Sequence, residues 1–187
     1  MEAEIKTLNP QQWVHSYSDK LYAFALSRLW DEEKAKDLVQ ETFLAALEGI
    51  NGYKGKSSEL TWLTAILKNK IIDVYRKNSR NIHTKLEETP PDKDFFEENG
   101  HWKYGSHPMH IRDNGQSFLE NKELAGILKK CILKLPALWL SVFTMKHMED
   151  FSSEAICSTL DVSPSNFWVI IHRCKLNLRA CIQKNSA

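Results

Sequence analysis

The sequence predicts an all-α protein of two small helical domains joined by a flexible linker, the second containing a helix-turn-helix. Three observations carry this. Apolar residues recur at helical spacing through two long blocks, residues 8–82 and 117–185. Only 7 of the 187 residues are Gly and 6 are Pro, too few for the many tight turns of a strand-rich fold. Between the blocks, residues 83–116 lose the periodicity and gather Pro90, Pro91, Gly100, Gly105 and Pro108, a linker composition. A chain of this length suits one large domain or two small ones.

The first block reads as three helices. Trp13 to Trp30 holds Tyr17, Leu21, Phe24, Ala25 and Leu29 on one face. Asp31 to Ile50 follows with Ala35, Leu38, Val39, Thr42, Phe43 and Ala46 at the same spacing. Asp31 and Glu32 suit the positive end of its dipole, and Gly49 and Gly52 stop it. A polar loop, Asn51 to Ser58, leads to a helix from Glu59 to about Asn78, capped by Ser57 or Ser58. Its inner face is Leu60, Leu63, Leu67, Ile71 and Val74.

The linker carries an acidic cluster, Glu87, Glu88, Asp92, Asp94, Glu97 and Glu98, and interleaves Phe95, Phe96, Trp102 and Tyr104. Such aromatics suit docking on a surface. The second block then reads as four helices. Leu119 to Leu133 turns Leu124, Ile127, Leu128, Cys131 and Ile132 inward, and Leu135-Pro136 breaks it. Ala137 to Met148 and Ser152 to Leu160 come next. Ser163-Pro164 is an N-cap and first-turn pair for a last helix reaching about Gln183.

Lys plus Arg is 25 and Asp plus Glu is 24, a formal net charge of +1. Any nucleic-acid surface is therefore local. Hydrophobic residues at 42% and charged residues at 26% exclude wholesale disorder. No apolar run is long enough for a membrane span, and Met1 to Pro10 has no secretory apolar core. The cytoplasm is therefore the expected location. A reducing compartment argues against disulfides: Cys131, Cys157 and Cys174 read as small core residues, and Cys181 as partly exposed.

Three surfaces carry the function. The most specific is the short helix, turn and longer helix at the C-terminus. Val162 plugs the turn, and Phe167, Ile170 and Ile171 face the core. Ser165, Asn166, Trp168, Val169, His172 and Arg173 then face outward near the second helix's start, where such motifs meet the major groove. Asn can pair with adenine, Val can touch a thymine methyl, and Arg can take guanine or phosphate. No acid follows Asp161, so Arg173, Lys175, Arg179 and Lys184 make this helix locally basic.

The second surface is on the helix from Glu59. Trp62, Asn69, Asp73, Arg76 and Arg80 share a face, with Lys68, Lys70 and Lys77 beside it. An aromatic in a basic stripe suits melted DNA, whose bases stack on rings. The loop with Lys54, Lys56, Ser57 and Ser58 is placed to accept an extruded base. The third surface lines up Asp37, Glu41, Leu44 and Glu48, with Gln40 alongside. Acids that orient and a Leu that anchors suit a protein-docking face.

His101, His107 and His110 lack a nearby Cys or fixed geometry, so no metal and no cofactor is expected. P-loop, nucleophile-elbow, zincin and dinucleotide patterns are absent, so no enzyme is expected either.

The run Asp37-Leu-Val-Gln-Glu-Thr-Phe-Leu44, then Leu60-Thr-Trp-Leu63 and Ile71-Ile-Asp-Val-Tyr-Arg76, resembles the second conserved region of bacterial RNA polymerase sigma factors. Leu135-Pro136 through His172-Arg173 and on to Leu178-Arg179 resembles their fourth region. With these two regions and a linker, the chain resembles a sigma factor of the extracytoplasmic-function type. The resemblance implies domains at 8–82 and 117–185 and a linker at 83–116. It implies that Asp37, Gln40, Glu41 and Leu44 grip the clamp helices of the largest polymerase subunit. It further implies that Lys54, Lys56, Ser57, Ser58, Trp62, Asn69, Asp73, Arg76 and Lys77 capture and melt the minus-ten promoter element. Ser163, Ser165, Asn166, Trp168, Val169, His172 and Arg173 would read the minus-thirty-five element. Further implied partners are the flap of the second-largest subunit and an anti-sigma factor, with no membrane insertion. The linker would thread toward the active-site channel. The chain departs from the family's usual basic or small polar residues at Trp168-Val169-Ile170.

The alternative is an autonomous helix-turn-helix regulator that binds duplex DNA as a dimer without polymerase. Nothing in the first block resembles a dimerisation coiled coil or an effector pocket.

Overall fold

The structure, a computed structural model, describes residues 8–82, 96–97, 101–104 and 118–185. Among these residues are seven α-helices: α1 (Pro10–Leu29), α2 (Glu32–Glu48), α3 (Glu59–Ile82), α4 (Phe118–Ile132), α5 (Ala137–His147), α6 (Ser153–Leu160) and α7 (Pro164–Asn185). The chain divides into two compact units, residues 1–75 and 76–187, with the division inside α3. No helix among the described residues is long and apolar enough to cross a membrane.

In the first unit, α1 begins at Pro10, earlier than the periodicity indicates, because Pro at the first turn needs no backbone donor. It ends at Trp30, whose left-handed φ of 58° lets its N–H donate to the Leu26 carbonyl. Asp31 caps α2 by accepting from the Lys34 N–H. The Lys34 ammonium also pairs with its carboxylate at 2.8 Å. Those bonds hold the Asp31 carboxyl below its ordinary value.

The start of α3 is tied to the start of α1. Glu59 accepts from the Asn9 N–H at 2.7 Å and the Tyr17 hydroxyl at 3.0 Å. That bond to Glu59 raises the Tyr17 pKa. Further along, the Tyr75 hydroxyl donates to the Arg28 carbonyl at 3.1 Å. Near contacts at both ends mean that α1 and α3 run parallel. Between the helices lie Trp13, Leu21, Ala25, Leu38, Val39, Leu63, Leu67 and Ile71, all buried. Burying one such Leu stabilises by about 1.5–3 kcal/mol.

In the second unit, α7 packs against α4, α5 and α6. Its buried stripe is Phe167, Ile170, Ile171, Cys174, Leu176 and Leu178. Facing it are Leu138, Trp139 and Val142 of α5 and Ile156 and Leu160 of α6. Burial along α4 falls off toward its start. Cys131 and Ile132 are buried, Ile127 and Leu128 half-buried, and Leu124 is exposed rather than facing inward.

The expectation of unpaired cysteines does not hold. Cys131 and Cys181 form a disulfide with Cα atoms 5.7 Å apart. A separation of 50 residues conceals that the ends of α4 and α7 lie side by side. Of the other two, Cys157 is half-buried and Cys174 is buried, its pKa pushed up to about 12 by burial.

Reduction of the pair, or Cys181→Ser, should destabilise the second unit by up to about 4 kcal/mol, the chain-entropy value for a closed loop of this length. Urea melts followed by circular dichroism, with and without reductant, read the shift. An unchanged midpoint would mean that the thiols do not pair in solution.

Candidate functional site

The helix-turn-helix is built by three local features. Ser152 caps α6 by accepting from the Ala155 N–H at 3.1 Å. Asp161 then takes φ 54°, a left-handed turn that Asp tolerates better than most residues. Val162 is buried in the connection, and its N–H donates to the Cys157 carbonyl at 3.0 Å. Ser163 caps α7 by accepting from the Asn166 N–H at 3.3 Å, with Pro164 in the first turn. The Ser163 hydroxyl also lies 3.2 Å from the Ser165 hydroxyl.

The outward face of α7 follows from its buried one. Ser165, Trp168, Val169 and His172 are exposed, and Asn166 and Arg173 are half-buried. Trp168 is 60% exposed and Val169 42%, too much apolar surface for residues that serve only the core. Ile170 is 1% exposed, so it belongs to the core and presents nothing outward. Arg173 is turned partly inward, with its Nε buried and without a hydrogen-bond partner. His147 of α5 is held below its ordinary pKa by burial, then by Lys175 and Lys146.

On α3, Asn69, Asp73, Arg76, Lys77 and Arg80 are all exposed. Trp62 is not open in the same way. It is half-buried, edge-on to Trp13 with ring centroids at 6.0 Å and tilted against Tyr53 at 5.1 Å. Tyr53 in turn donates its hydroxyl to the Ser57 carbonyl. These contacts hold the loop against the helix it precedes. Within the loop Lys54 and Lys56 are exposed, and Gly55 takes φ 69°, a left-handed conformation that favours glycine. Ser58 rather than Ser57 caps α3, accepting from the Thr61 N–H at 3.2 Å. Lys68 lies over the Phe24 ring of α1 at 5.6 Å, and Lys70 pairs with Glu41 of α2 at 3.0 Å.

On α2, Asp37, Gln40, Glu41 and Leu44 are exposed, opposite the buried Ala35, Leu38, Val39, Thr42 and Ala46. Leu44 is 61% exposed. The structure adds Leu47, also exposed, to this face. The steps Gln40, Leu44, Leu47 of i+4 and i+3 were the signal that could have found it.

Of the linker histidines only His101 is described, while His107 and His110 lie outside the described residues. Among the described residues, no three His, Cys, Asp or Glu side chains gather to hold a metal ion.

The model of the sigma-70 region 2 family matches residues 13–81. A probable RNA polymerase sigma factor of Haemophilus influenzae is 34% identical over 166 residues, covering 88% of this chain and 85% of that protein. The extracytoplasmic-function sigma factor SigW of Bacillus subtilis is 26% identical over 169 residues, 89% of this chain and 84% of its own. The chain belongs to the RNA polymerase sigma factors of the extracytoplasmic-function type. A co-crystal structure of the sigma factor RpoE with the anti-sigma factor NepR from Bartonella quintana aligns at TM-score 0.43 and 20% identity, over 92% of this chain and 96% of that one.

This sigma factor directs promoter recognition, promoter melting and transcription initiation by core RNA polymerase. The family assignment sets that reading above an autonomous helix-turn-helix regulator. The region 2 match contains every residue of the α2 and α3 surfaces described above.

The two faces of α7 are separable by mutation. Phe167→Ala should cost about 3–5 kcal/mol of stability through the cavity it leaves. Trp168→Ala, one position on, should stay within about 0.5 kcal/mol of the parent. Thermal melts of the pair check this, and equal losses would mean that Trp168 is a core residue.

Proposed function

We propose that the sigma activity is divided among three surfaces. Asp37, Gln40, Glu41 and Leu44 of α2 bind the clamp helices of the largest polymerase subunit. Lys54, Lys56, Ser57 and Ser58, with Trp62, Asn69, Asp73, Arg76 and Lys77, hold the melted minus-ten element. Ser163, Ser165, Asn166, Trp168, Val169, His172 and Arg173 meet the minus-thirty-five element as duplex. Residues 8–82 and 117–185 form the working domains and 83–116 the linker. The second domain also meets the flap of the second-largest subunit. An anti-sigma factor restrains the protein, and it acts in the cytoplasm.

The observation that carries this reading is the exposed stripe of α2. It combines two acids and an amide with Leu44 on a helix whose other face is buried. An exposed leucine among acids suits an anchor with an electrostatic rim. For α3, the fixed Trp62 gives a ring at the head of a polar and basic stripe, as base stacking needs. For α7, the exposed Trp168 and Val169 offer apolar contact to thymine methyls beside Asn166 and Arg173. Each DNA surface makes few phosphate contacts, so duplex affinity alone is modest and falls with salt. Attachment to polymerase raises the effective concentration of both.

Asp37→Lys with Glu41→Lys should weaken binding to core polymerase at least tenfold while circular dichroism stays unchanged. Sedimentation of labelled protein with core enzyme measures it, and full binding by the variant would remove α2 as the docking face. Asn166→Ala with Arg173→Ala should lower promoter selectivity in transcription assays, with core binding retained. Loss of both together would mean that α7 is a structural helix only.

A further inference from the structure

Two short pieces of the linker lie on the helix assigned above to duplex reading. Phe96 and Trp102 form an antiparallel bridge, and the Glu97 N–H donates to the His101 carbonyl at 2.8 Å. Their rings pack together with centroids 4.3 Å apart. Both rings are half-buried. What they cover is α7. The Phe96 ring is stacked over the His172 imidazole at 6.5 Å, with planes 17° apart. The Trp102 ring receives the Arg179 guanidinium at 4.5 Å, a cation–π distance.

His172 and Arg179 are not scattered positions. Ser165, Trp168, His172, Lys175 and Arg179 follow one another by steps of three and four along one face of α7. The exposed Ser165 and Trp168 occupy its N-terminal half, and the aromatic pair sits on its C-terminal half. A guanidinium facing an indole ring is oriented for that ring, and a phosphate oxygen would need the same group.

We propose that the Phe96–Trp102 pair is an internal competitor for duplex DNA, occupying the C-terminal half of the reading face of α7. The inference rests on the assignment of α7 as the duplex-reading helix. In the closed form the Arg179 guanidinium is engaged by Trp102 and is half-buried, while His172, beside Phe96, and Lys175 stay exposed along with Ser165 and Trp168. Apparent DNA affinity is then the intrinsic affinity reduced by the fraction of molecules in which the pair is displaced. Any partner that holds the linker elsewhere raises that fraction, and by linkage duplex DNA favours the linker's release to the same degree.

The test uses the full chain and a short mixed-sequence DNA duplex at low salt, with affinity read by fluorescence anisotropy. Trp102→Ala, alone and with Phe96→Ala, should tighten binding roughly three- to tenfold, the scale of losing one cation–π contact and one ring pair. Arg179→Ala should weaken binding, and in its background Trp102→Ala should no longer tighten it. Circular dichroism confirms that each variant folds. If Arg179→Ala weakens binding but Trp102→Ala leaves it equal or weaker, the competitor is overturned and the reading helix stands. If Arg179→Ala has no effect on duplex binding, that face of α7 is not a DNA surface, and the competitor falls with it.

Discussion

The rotational setting of α7 is held by one buried stripe, Phe167, Ile170, Ile171, Cys174 and Leu178, packed against α5 and α6. A helix turns about 100° per residue, so a single residue of slippage would bury Trp168 and expose Phe167. Everything that α7 can present depends on this packing. It places Trp168, Val169 and His172 outside and explains why Ile170, between them in sequence, contributes nothing there. The caps complete the constraint. The Ser163 hydroxyl and Pro164 fix where the helix begins, and the left-handed Asp161 with buried Val162 fixes how the chain enters it.

The first unit uses the same device with a different payload. Burial of Ala35, Leu38, Val39, Thr42 and Ala46 leaves α2 with an acidic stripe around Leu44. Glu59, at the head of α3, joins that helix to α1 through the Asn9 amide and the Tyr17 hydroxyl. The Trp13–Trp62–Tyr53 cluster then carries order from this core into the loop before α3. A loop that would hold unpaired bases is thus braced by aromatic packing and by a helix cap at Ser58, not by a regular element of its own.

A near-neutral chain with several small charged surfaces has a consequence for regulation. On the proposed assignment no single surface would hold DNA tightly, so modest internal contacts would compete effectively with it. A cation–π contact and a ring stack are weak beside a protein core. They would become significant on a helix whose proposed DNA contacts are few and salt-sensitive.

Helix existence, capping and faces were legible in the sequence because they are local. Asp31, Ser58, Ser163 and Pro164 mark helix starts by their own chemistry, and the apolar spacing of α2, α3 and α7 names most of their buried residues, although Phe43, Leu60 and Val74 are only half-buried and Tyr75, beside Val74, is buried instead. The division of surfaces into an acidic face, a mixed polar stripe and a basic helix could be read the same way. What periodicity cannot say is which distant segment meets a face, or whether one does. Leu124 fits the apolar pattern of α4 yet is exposed. The Glu41–Lys70 pair, the Cys131–Cys181 bridge, the clustering of Trp62 with Trp13, and the seating of Phe96 and Trp102 on α7 all join residues far apart in sequence. Sequence alone determined which residues could face outward, since that follows from the helical period. Tertiary structure alone decided which of them are already engaged, since that depends on the packing of segments whose spacing along the chain carries no trace of their distance in space.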